Sequence, residues 1–583
     1  MASGQPRHVD DESPRIVERE LTGDVTALAY LGQPLLARIY AGRGIADPAE
    51  LDYALSHLPD FSALKGVDGA VSILCAAIDA GAPICVVGDF DADGATSTTL
   101  ALEALSACGA VAVDHFMPQR ATHGYGLSPS VVEALGPPSA AGAVLLTVDN
   151  GIAAHAGVTA ARAAGWRVVI TDHHLPGDTL PADAEAVVNP NQPGCEFASK
   201  RLAGVGVVFY LMAALRARRA AQGATHLPRL GDFLDLVAVG TVADVVPLDH
   251  LNRTLVAQGL RRIRAGRGRP GIVALADIAG RDHRRLTPDD IGFAIGPRIN
   301  AAGRLDDMAI GVHCLRAADP DTARAAAEQL SAINRDRRRA QRRMVADAEQ
   351  ALAHLSLSGT DMPAGLVVHG ADWHEGIVGL IAARVRERVH RPVVAFAPGA
   401  NGELKGSARS IPGVHVRDIL AAIDARHAGL IRRFGGHAQA AGLSLAAADL
   451  DDFRQAFDTA TADVLTPALR TRAYLTDGEL SAGDFTLETA KRLRDAGPWG
   501  AGFEAPLFHG RFHILSQRIV GEHHLKLRLS PAAGDAPAMA GIWFNREETL
   551  EETIAHRLVF QLAVNEFRGQ ENLDLIVVHA EPA

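Results

Sequence analysis

Three aspartates stand in five positions at Asp89, Asp91 and Asp93, directly after the apolar run Ile84–Val87. The stretch VVGDFDADGATST opens like a calcium loop. Such a loop needs a bidentate glutamate at its twelfth position, and here Leu100 stands there. It also needs a flanking helix, whereas Ile84–Val87 reads as a strand. A solvated acidic turn is the other reading of a lone DxDxD, and the rest of the chain argues against it. Val144–Val148 ends in Asp149-Asn150-Gly151, WRVVI ends in Thr171-Asp172-His173-His174, and LDLVAVGTVADVVPL places Asp244 after a further apolar stretch. Carboxylates and imidazoles thus follow several core elements at their carboxyl ends, the edge where open parallel sheets bind ligands. A core does not gather so many costly charges without cations to neutralise them. The donors are mostly oxygen, with one or two imidazoles and no thiolate, which suits Mn²⁺ or Mg²⁺ better than structural zinc. They are too many for one ion. Two ions roughly 3.5–4 Å apart, bridged by a shared carboxylate, would use them all, and such pairs hydrolyse phosphoesters.

These residues need elements to hold them. From about Ile84 to Val246 short β-branched runs alternate with Ala-rich segments of helical period, as in a parallel α/β sheet. Ile84–Val87, Val144–Val148 and Arg167–Ile170 read as strands; Ala101–Cys108 and Ala153–Ala164 read as helices. A long Ala/Arg/Glu/Gln-rich stretch from Asp319 to Leu355 reads as one connecting helix. A second α/β pattern starts at Leu366–His369. From Tyr474 onward, period-two segments such as FHILSQRIVGEHHLKLRLSP predict a small antiparallel barrel. The expected division is an N-terminal extension (1–50), a catalytic domain (51–315), a connecting helix (316–357), a second α/β domain (358–460) and the barrel (461–583).

The totals narrow the class. A chain of 583 residues with 48% hydrophobic and 21% charged residues is ordinary for several packed domains. No apolar run reaches the roughly 18 residues of a membrane span, so no membrane partner is expected. MASGQPRHVDDESPR carries no apolar signal segment and reads as a frayed tail. Cys75, Cys85, Cys108, Cys195 and Cys314 are scattered, with no CxxC pair, which fits a reducing cytoplasm. The net charge of −11 means that any nucleic acid must be met by local basic patches.

GDFDADG, VDNG, TDHH and GTVADVVPL, in that order, resemble the four motifs of the DHH phosphoesterase superfamily. MPQRATHGYGLSP, LAGVGVVFYL, GPRINAAGRLDD, WHEGIVGLIAARVRERVHRPVVAF, GSARS and FGGHAQAAG extend the likeness, from Leu51 onward, to the RecJ family of bacterial single-stranded-DNA exonucleases. The resemblance implies an α/β multidomain chain: a parallel-sheet DHH catalytic domain, a long helix, a DHH-associated α/β domain and a C-terminal OB-fold. It implies metal ligation by Asp89, Asp91, Asp93, Asp149, His173 and Asp244, with Asp149 as the bridge and Asp91 and Asp93 the stronger ligands of the first motif. His174 would ligate or contact the scissile phosphate, and Asp172 would orient a histidine. Pyrophosphatase relatives carry a metal-binding histidine where Val87 stands, so Asp89 is expected to take over that role and pyrophosphate is disfavoured.

Arg120, beside the Gly124-Tyr125-Gly126 turn, is placed like a phosphate clamp. Asn300 and Arg304 of INAAGR are expected to face the site, Arg304 in a catalytic role. Ser407 and Arg409 of GSARS suit a terminal phosphate, and His437 sits where glycines let backbone approach a ligand. Arg335, Arg337, Arg338, Arg339, Arg342 and Arg343 wrap the connecting helix, either meeting DNA phosphates or pairing on a solvated face. In the barrel, Leu525, Leu527 and Leu529 alternate with Lys526 and Arg528, and Phe512, Trp543 and Phe567 are candidate base platforms. The resemblance implies 5′→3′ hydrolysis of single-stranded DNA to 5′-mononucleotides in recombination and repair, two Mn²⁺ or Mg²⁺ ions, a cytoplasmic monomer, and a single-strand-binding protein and a helicase as partners. Two other readings are weighed. A short-oligonucleotide or cyclic-dinucleotide phosphodiesterase would usually lack the barrel, and a catalytically silent DNA-binding scaffold would tend to lose ligands that this chain keeps.

Overall fold

A computed structural model describes residues 14–352, 362–399, 402–521, 523–532, 537–567 and 569–583. It divides into two bodies. One comprises Arg19–Arg337 with Asp477–Ala583, the other Arg338–Thr476 with the strand Arg15–Glu18.

In the first body a five-stranded sheet runs Val113–Phe116, Ile84–Val87, Val144–Val148, Arg167–Thr171, Ala186–Val188, every neighbouring pair parallel. Its side chains sort by the two-residue period of a strand. Ile84, Val86, Val144, Leu146, Val148 and Val169 pack with Leu100, Leu105 and Val205 on one face. Cys85, Val87, Leu145, Val168 and Ile170 pack with Val131, Val132 and Val158 on the other. Burial on both faces explains why these strands read as unbroken apolar runs. The first strand in sequence lies second in the sheet, so the chain reverses direction between Ile84–Val87 and Val144–Val148. The crevice beyond the carboxyl ends at such a switch point is where doubly wound sheets bind ligands.

LDLVAVGTVADVVPL departs from the strand pattern around it. Residues Leu234–Ala243 form a helix, and Asp244 is its C-cap. The segment is apolar all round because the helix is buried, and Leu236, Val237, Ala238 and Val239 have no exposure.

The same body carries the barrel. Phe508–Val520, His524–Pro531, Met539–Trp543, Gln570–Pro582 and Ala555–Phe567 close in that order. The expected antiparallel pairing is broken once, where Met539–Trp543 and Gln570–Pro582 run parallel. Leu525, Leu527 and Leu529 point into the core, while Arg528 is exposed. Phe512 is core at 1% exposure and offers no platform. Arg546 lies over the ring of half-buried Trp543. The side chain of Phe567 is outside the described residues.

The second body has a sheet of order Arg433–Gly436, Ala440–Ala446, Glu403–Arg409, Val393–Pro398, Leu366–His369, parallel only in its last pair. The expected connecting helix spans Pro320–Leu352, and residues 353–357 lie outside the described set. On it, Arg335 donates to Ser331 Oγ and Arg337 to Asn334 Oδ1. Among the described residues no single helix is long and apolar enough to cross a membrane, and the five cysteines are free.

A buried ion pair ties the N-terminal helix Pro34–Ala41 to the segment that enters the barrel. Arg43 gives Nη1 to Asp477 Oδ1 at 2.6 Å, Nη2 to Asp477 Oδ2 at 3.1 Å and Nε to the Glu504 carbonyl at 2.8 Å. Asp477 Oδ2 also accepts from the Leu507 amide. Side-chain exposures of 1% and 3% mean that removing one partner strands a charge away from water. Asp477→Ala is therefore expected to cost about 3–5 kcal/mol in chemical denaturation. A loss below about 1 kcal/mol, the worth of a surface pair, would show that the bridge does not hold these segments together.

Candidate metal centre

The site forms where several chain breaks meet the sheet's carboxyl edge. After Ile84–Val87 the backbone turns into the helix Ala92–Ala107, and Asp91 is its N-cap, accepting the Gly94 amide at 3.0 Å. Asn300 Oδ1 accepts the Ala92 amide at 2.6 Å, so a distant helix finishes the same cap. Asp89 accepts the amide of Phe90. Asp93 sits in the first helical turn, where the partial positive end of the helix favours an anion. It also meets a second helix N-terminus: Gly204 N donates to Oδ2 at 2.6 Å and Val205 N to Oδ1 at 2.9 Å. Ser97 Oγ also donates to Oδ1 at 3.5 Å, so Oδ2 is the Asp93 oxygen that retains a lone pair for a cation.

Asp149 follows Val144–Val148 with φ of 64°, a left-handed conformation that aspartate tolerates better than most residues. Asn150 secures the turn, donating from Nδ2 to the carbonyls of Val87 and Val148. Space for the Asp149 carboxylate exists because residue 204 is glycine. A Cβ there would lie 2.5 Å from Asp149 Oδ1. Gly240 similarly leaves room beside Asp93, since its Cβ would fall 2.8 Å from Oδ1.

After Arg167–Thr171, Asp172 turns inward and accepts from the amides of Ile152, His173 and His174 and from His174 Nδ1 at 2.8 Å. It orients His174, whose Nε2 lies 3.3 Å from the Tyr125 hydroxyl. His173 donates to the Leu202 carbonyl, which leaves Nε2 facing the cluster, 3.2 Å from Asp149 Oδ1 and 3.4 Å from Asp244 Oδ2.

Three sets of possible ligands result: Asp89 with Asp91 and Asp149, Asp93 with His173 and Asp244, and Asp149 with His173 and His174; within each, the donor atoms lie within 4.8 Å of one another. Asp149 and His173 each belong to two sets. All six sequence-derived ligands meet here.

The electrostatics are those of a concentration of negative charge. Burial, and then the neighbouring carboxylates, push Asp89 and Asp93 up to about 7 and Asp244 up to about 9. Asp149 is raised well above the carboxylate range, first by burial and then by Asp93, Asp91, Asp244 and Asp89. Burial lowers His173 to about 4, with the charge of His174 adding to it. Burial would lower His174 too, but its hydrogen bond to Asp172 and the surrounding carboxylates outweigh that and hold it at about 9. Asp149 Oδ1 and His173 Nε2 are buried and have no hydrogen-bond partner among the described residues. Two facing donors left unmatched in a dry site fit a bound divalent cation.

The other expected residues fall into two places. Arg120 lies with its guanidinium 5.5 Å from the ring centre of Phe90, which packs edge-on against Tyr125. Arg304 is exposed at the end of the helix Gly296–Leu305. The residue before it, Gly303, presses so closely on the Phe90 carbonyl that a Cβ would be 1.7 Å away. Ser407, Arg409 and His437 belong to the other body. There Arg409 donates to Ser407 Oγ at 2.7 Å, and Gly379, in the first turn of the helix Val378–Val389, leaves room for the guanidinium. His437 is exposed in the hairpin before Ala440, which pairs with Arg409. The roles of Gly204, Val205, Gly240 and Tyr125 are not apparent from sequence reasoning. The glycines of LAGVGVVFYL at the start of an apolar helix are the one available signal.

Known proteins match along nearly the whole chain. The model of the DHH family, N-terminal domain, matches residues 83–241, the DHHA1 domain 363–463 and the RecJ OB domain 476–579. The single-stranded-DNA-specific exonuclease RecJ of Salmonella typhimurium is 49% identical over 553 residues, covering 93% of this chain and 95% of its own. Its Escherichia coli counterpart is 48% identical, covering 94% and 96%. Among solved structures, RecJ in complex with Mn²⁺ from Thermus thermophilus superposes with a TM-score of 0.75 at 29% identity, over 99% of this chain and 80% of that one. RecJ with Mg²⁺ from the same organism gives 0.70 at 27% identity, over 98% and 79%. With ligand-bearing turns, domain models and full-length relatives in agreement, the chain belongs to the RecJ family of single-stranded-DNA-specific exonucleases.

Proposed function

We propose that this chain hydrolyses single-stranded DNA from its 5′ end to 5′-mononucleotides, using two Mn²⁺ or Mg²⁺ ions, in recombination and repair. The observation that carries the reading is the unmatched pair of Asp149 Oδ1 and His173 Nε2, 3.2 Å apart, where two sets of possible ligands overlap. Asp89, Asp91 and Asp149 would hold one ion, and Asp93, His173 and Asp244 the other, with Asp149 as the bridge. Bound there, the pair supplies an activated water and charge neutralisation at the phosphorus. The chain's own groups do the rest. Asp172 fixes the His174 ring, and the cationic imidazole faces the anionic substrate. Asn300 locks the aspartate loop through the Ala92 amide. Arg120 and Arg304 would grip phosphates flanking the scissile one. In the DHHA1 body, Arg409, Ser407 and His437 would bind the terminal phosphate of the strand.

The domain division at residues 50, 315, 357 and 460, a monomeric state, a cytoplasmic location, and a helicase and a single-strand-binding protein as partners complete the proposal. The barrel supports a single-strand partner, since OB-folds commonly bind such strands through basic grooves.

Digestion of a long strand labelled at either end, with Mn²⁺, tests the reading directly. Label should leave the 5′ end first, while a cyclic dinucleotide and pyrophosphate stay intact; release from the 3′ end first overturns the polarity. Asp149→Ala should lower turnover by more than the roughly 10–100-fold typical of lost supporting contacts, with strand binding largely kept. Near-normal cleavage removes Asp149 from the centre. Arg409→Ala should reduce the preference for a 5′-phosphate over a 5′-hydroxyl by about 10-fold, as expected for one charged hydrogen bond. An unchanged ratio takes Arg409 out of the end pocket.

The cluster also sets a pH dependence. In chelated protein the folded state keeps protons that the unfolded chain has lost, on Asp89 and Asp93 up to about pH 7, on Asp244 up to about 9, and on His174 from 6.5 to about 9. The contribution of Asp89 and Asp93 falls from pH 3.8 and is spent by about 7, whereas that of Asp244 and His174 is still being lost as pH rises from 6.5 to about 9. Thermal unfolding in chelator should shift downward across that window, and the gain on adding Mn²⁺ should grow. A midpoint in chelator that is flat or rises with pH contradicts the charge cluster.

A further inference from the structure

The catalytic body carries a second concentration of charge, of opposite sign and away from the metal centre. Between residues 261 and 285 stand eight arginines, no lysine and two aspartates, in a chain whose net charge is −11. Four of the arginines are answered by carboxylates: Arg262 by Asp232, Arg269 by Glu103 and Asp235, Arg281 by Asp290, and Arg285 by Glu566 and Glu571. The other four, Arg261, Arg264, Arg267 and Arg284, have no ion pair among the described residues.

These four lie on two segments that pack together. The helix His250–Arg262 widens into a π-helical turn over Ile263–Arg267, and a short 3₁₀ turn, His283–Arg285, lies against it. Arg264 Nε donates to the Leu286 carbonyl at 2.8 Å, which fixes one guanidinium between the segments. Burial lowers its pKa, and the nearby charge of Arg494 and Arg261 adds to that effect against the opposing pull of Asp495 and Asp290. A guanidinium drawn partly out of water with no carboxylate in ion-pair contact is a cost that a bound anion would offset. Arg261, Arg267 and Arg284 stand exposed around it. Gly266, with φ of 70°, turns the chain at the rim, and a Cβ there would touch nothing within 4 Å, so the surface is open.

We propose that Arg261, Arg264, Arg267 and Arg284 form a ledge that binds the sugar-phosphate backbone of the DNA strand outside the metal centre. Arginine without lysine suits the planar, forked recognition of phosphate. A protein partner would want an apolar anchor at the centre of its contact; from Arg261 to Arg284 no large apolar side chain is exposed, and the exposed Val245 and Phe293 lie outside that span. Contacts to backbone phosphates need no such anchor and read no sequence. The helix His250–Arg262 begins six residues after Asp244 and is roughly 20 Å long at 1.5 Å per residue. The ledge at its far end therefore engages nucleotides well removed from the one being cleaved, so long strands gain from it and short ones do not.

This inference rests on the proposed action on single-stranded DNA, and the test separates the two. The exposed triple variant Arg261→Ala/Arg267→Ala/Arg284→Ala is compared with its lysine counterpart and the parent chain, with melting curves to confirm folding. The probes are a 30-nucleotide and a 6-nucleotide oligo(dT). In the alanine triple, KM for the long strand should rise at least 10-fold, with kcat and all hexamer turnover unchanged. The plot of log affinity against log salt for the long strand should lose about 2 of its slope, from roughly 0.7 per phosphate contact for three lost contacts. The lysine triple should keep most of that slope. An unchanged salt slope and unchanged length dependence overturn the ledge, even if the variant loses affinity for an acidic peptide such as polyglutamate. Failure of the parent chain to cut either oligonucleotide sinks the exonuclease reading instead.

Discussion

Repulsion among carboxylates in a site shut off from water is the constraint that organises this molecule. Asp89, Asp91, Asp93 and Asp149 gather at one edge of one sheet, where Asp244 joins them from a helix end, and burial raises four of the five towards protonation. No packing of the protein alone relieves that cost. The chain supplies partial positive charge where it can, with two helix N-termini at Asp93 and the His174 imidazolium beside Asp172. The remaining demand is for full positive charge at short range, which divalent ions meet.

The same demand explains where the glycines fall. Gly204 and Gly240 are sites of contact between backbone and carboxylate, and any side chain there would occupy the space of Asp149 or Asp93. The helix that starts at Gly204 thus serves twice: its first amides hold Asp93, and its missing side chain makes room for Asp149. Packing and chemistry meet at one residue, so the catalytic sheet and this helix must form together for the ligands to converge.

That coupling also marks how far the sequence is readable. The strands Ile84–Val87 and Val144–Val148 and the acids after them are legible because buried parallel strands are short apolar runs and ligand-bearing turns follow their ends. The helical nature of Leu234–Ala243 is hidden by that same rule, since a helix buried all round has no polar face to show its period. The amides that hold Asp93 belong to every residue type and carry no signature. The meeting of Tyr125 with His174 is a contact across 49 positions that no local pattern encodes. The parallel pair in the barrel likewise depends on which strand the chain returns to, not on the alternation that identifies the strands.

An acidic chain can act on a polyanion because charge is felt locally. At physiological salt the screening length is roughly 8 Å, shorter than the helix that separates Asp244 from the unpaired arginines. A phosphate near Arg264 therefore experiences the local arginines, with Asp495 and Asp290 opposing them, and little of the charge at the metal edge. At the metal edge the carboxylates would be matched by the ions they bind. Net charge thus governs neither encounter. What decides both is whether each buried or clustered charge has its opposite within a few ångströms: metal for the aspartates, and phosphate for the arginines that no carboxylate answers.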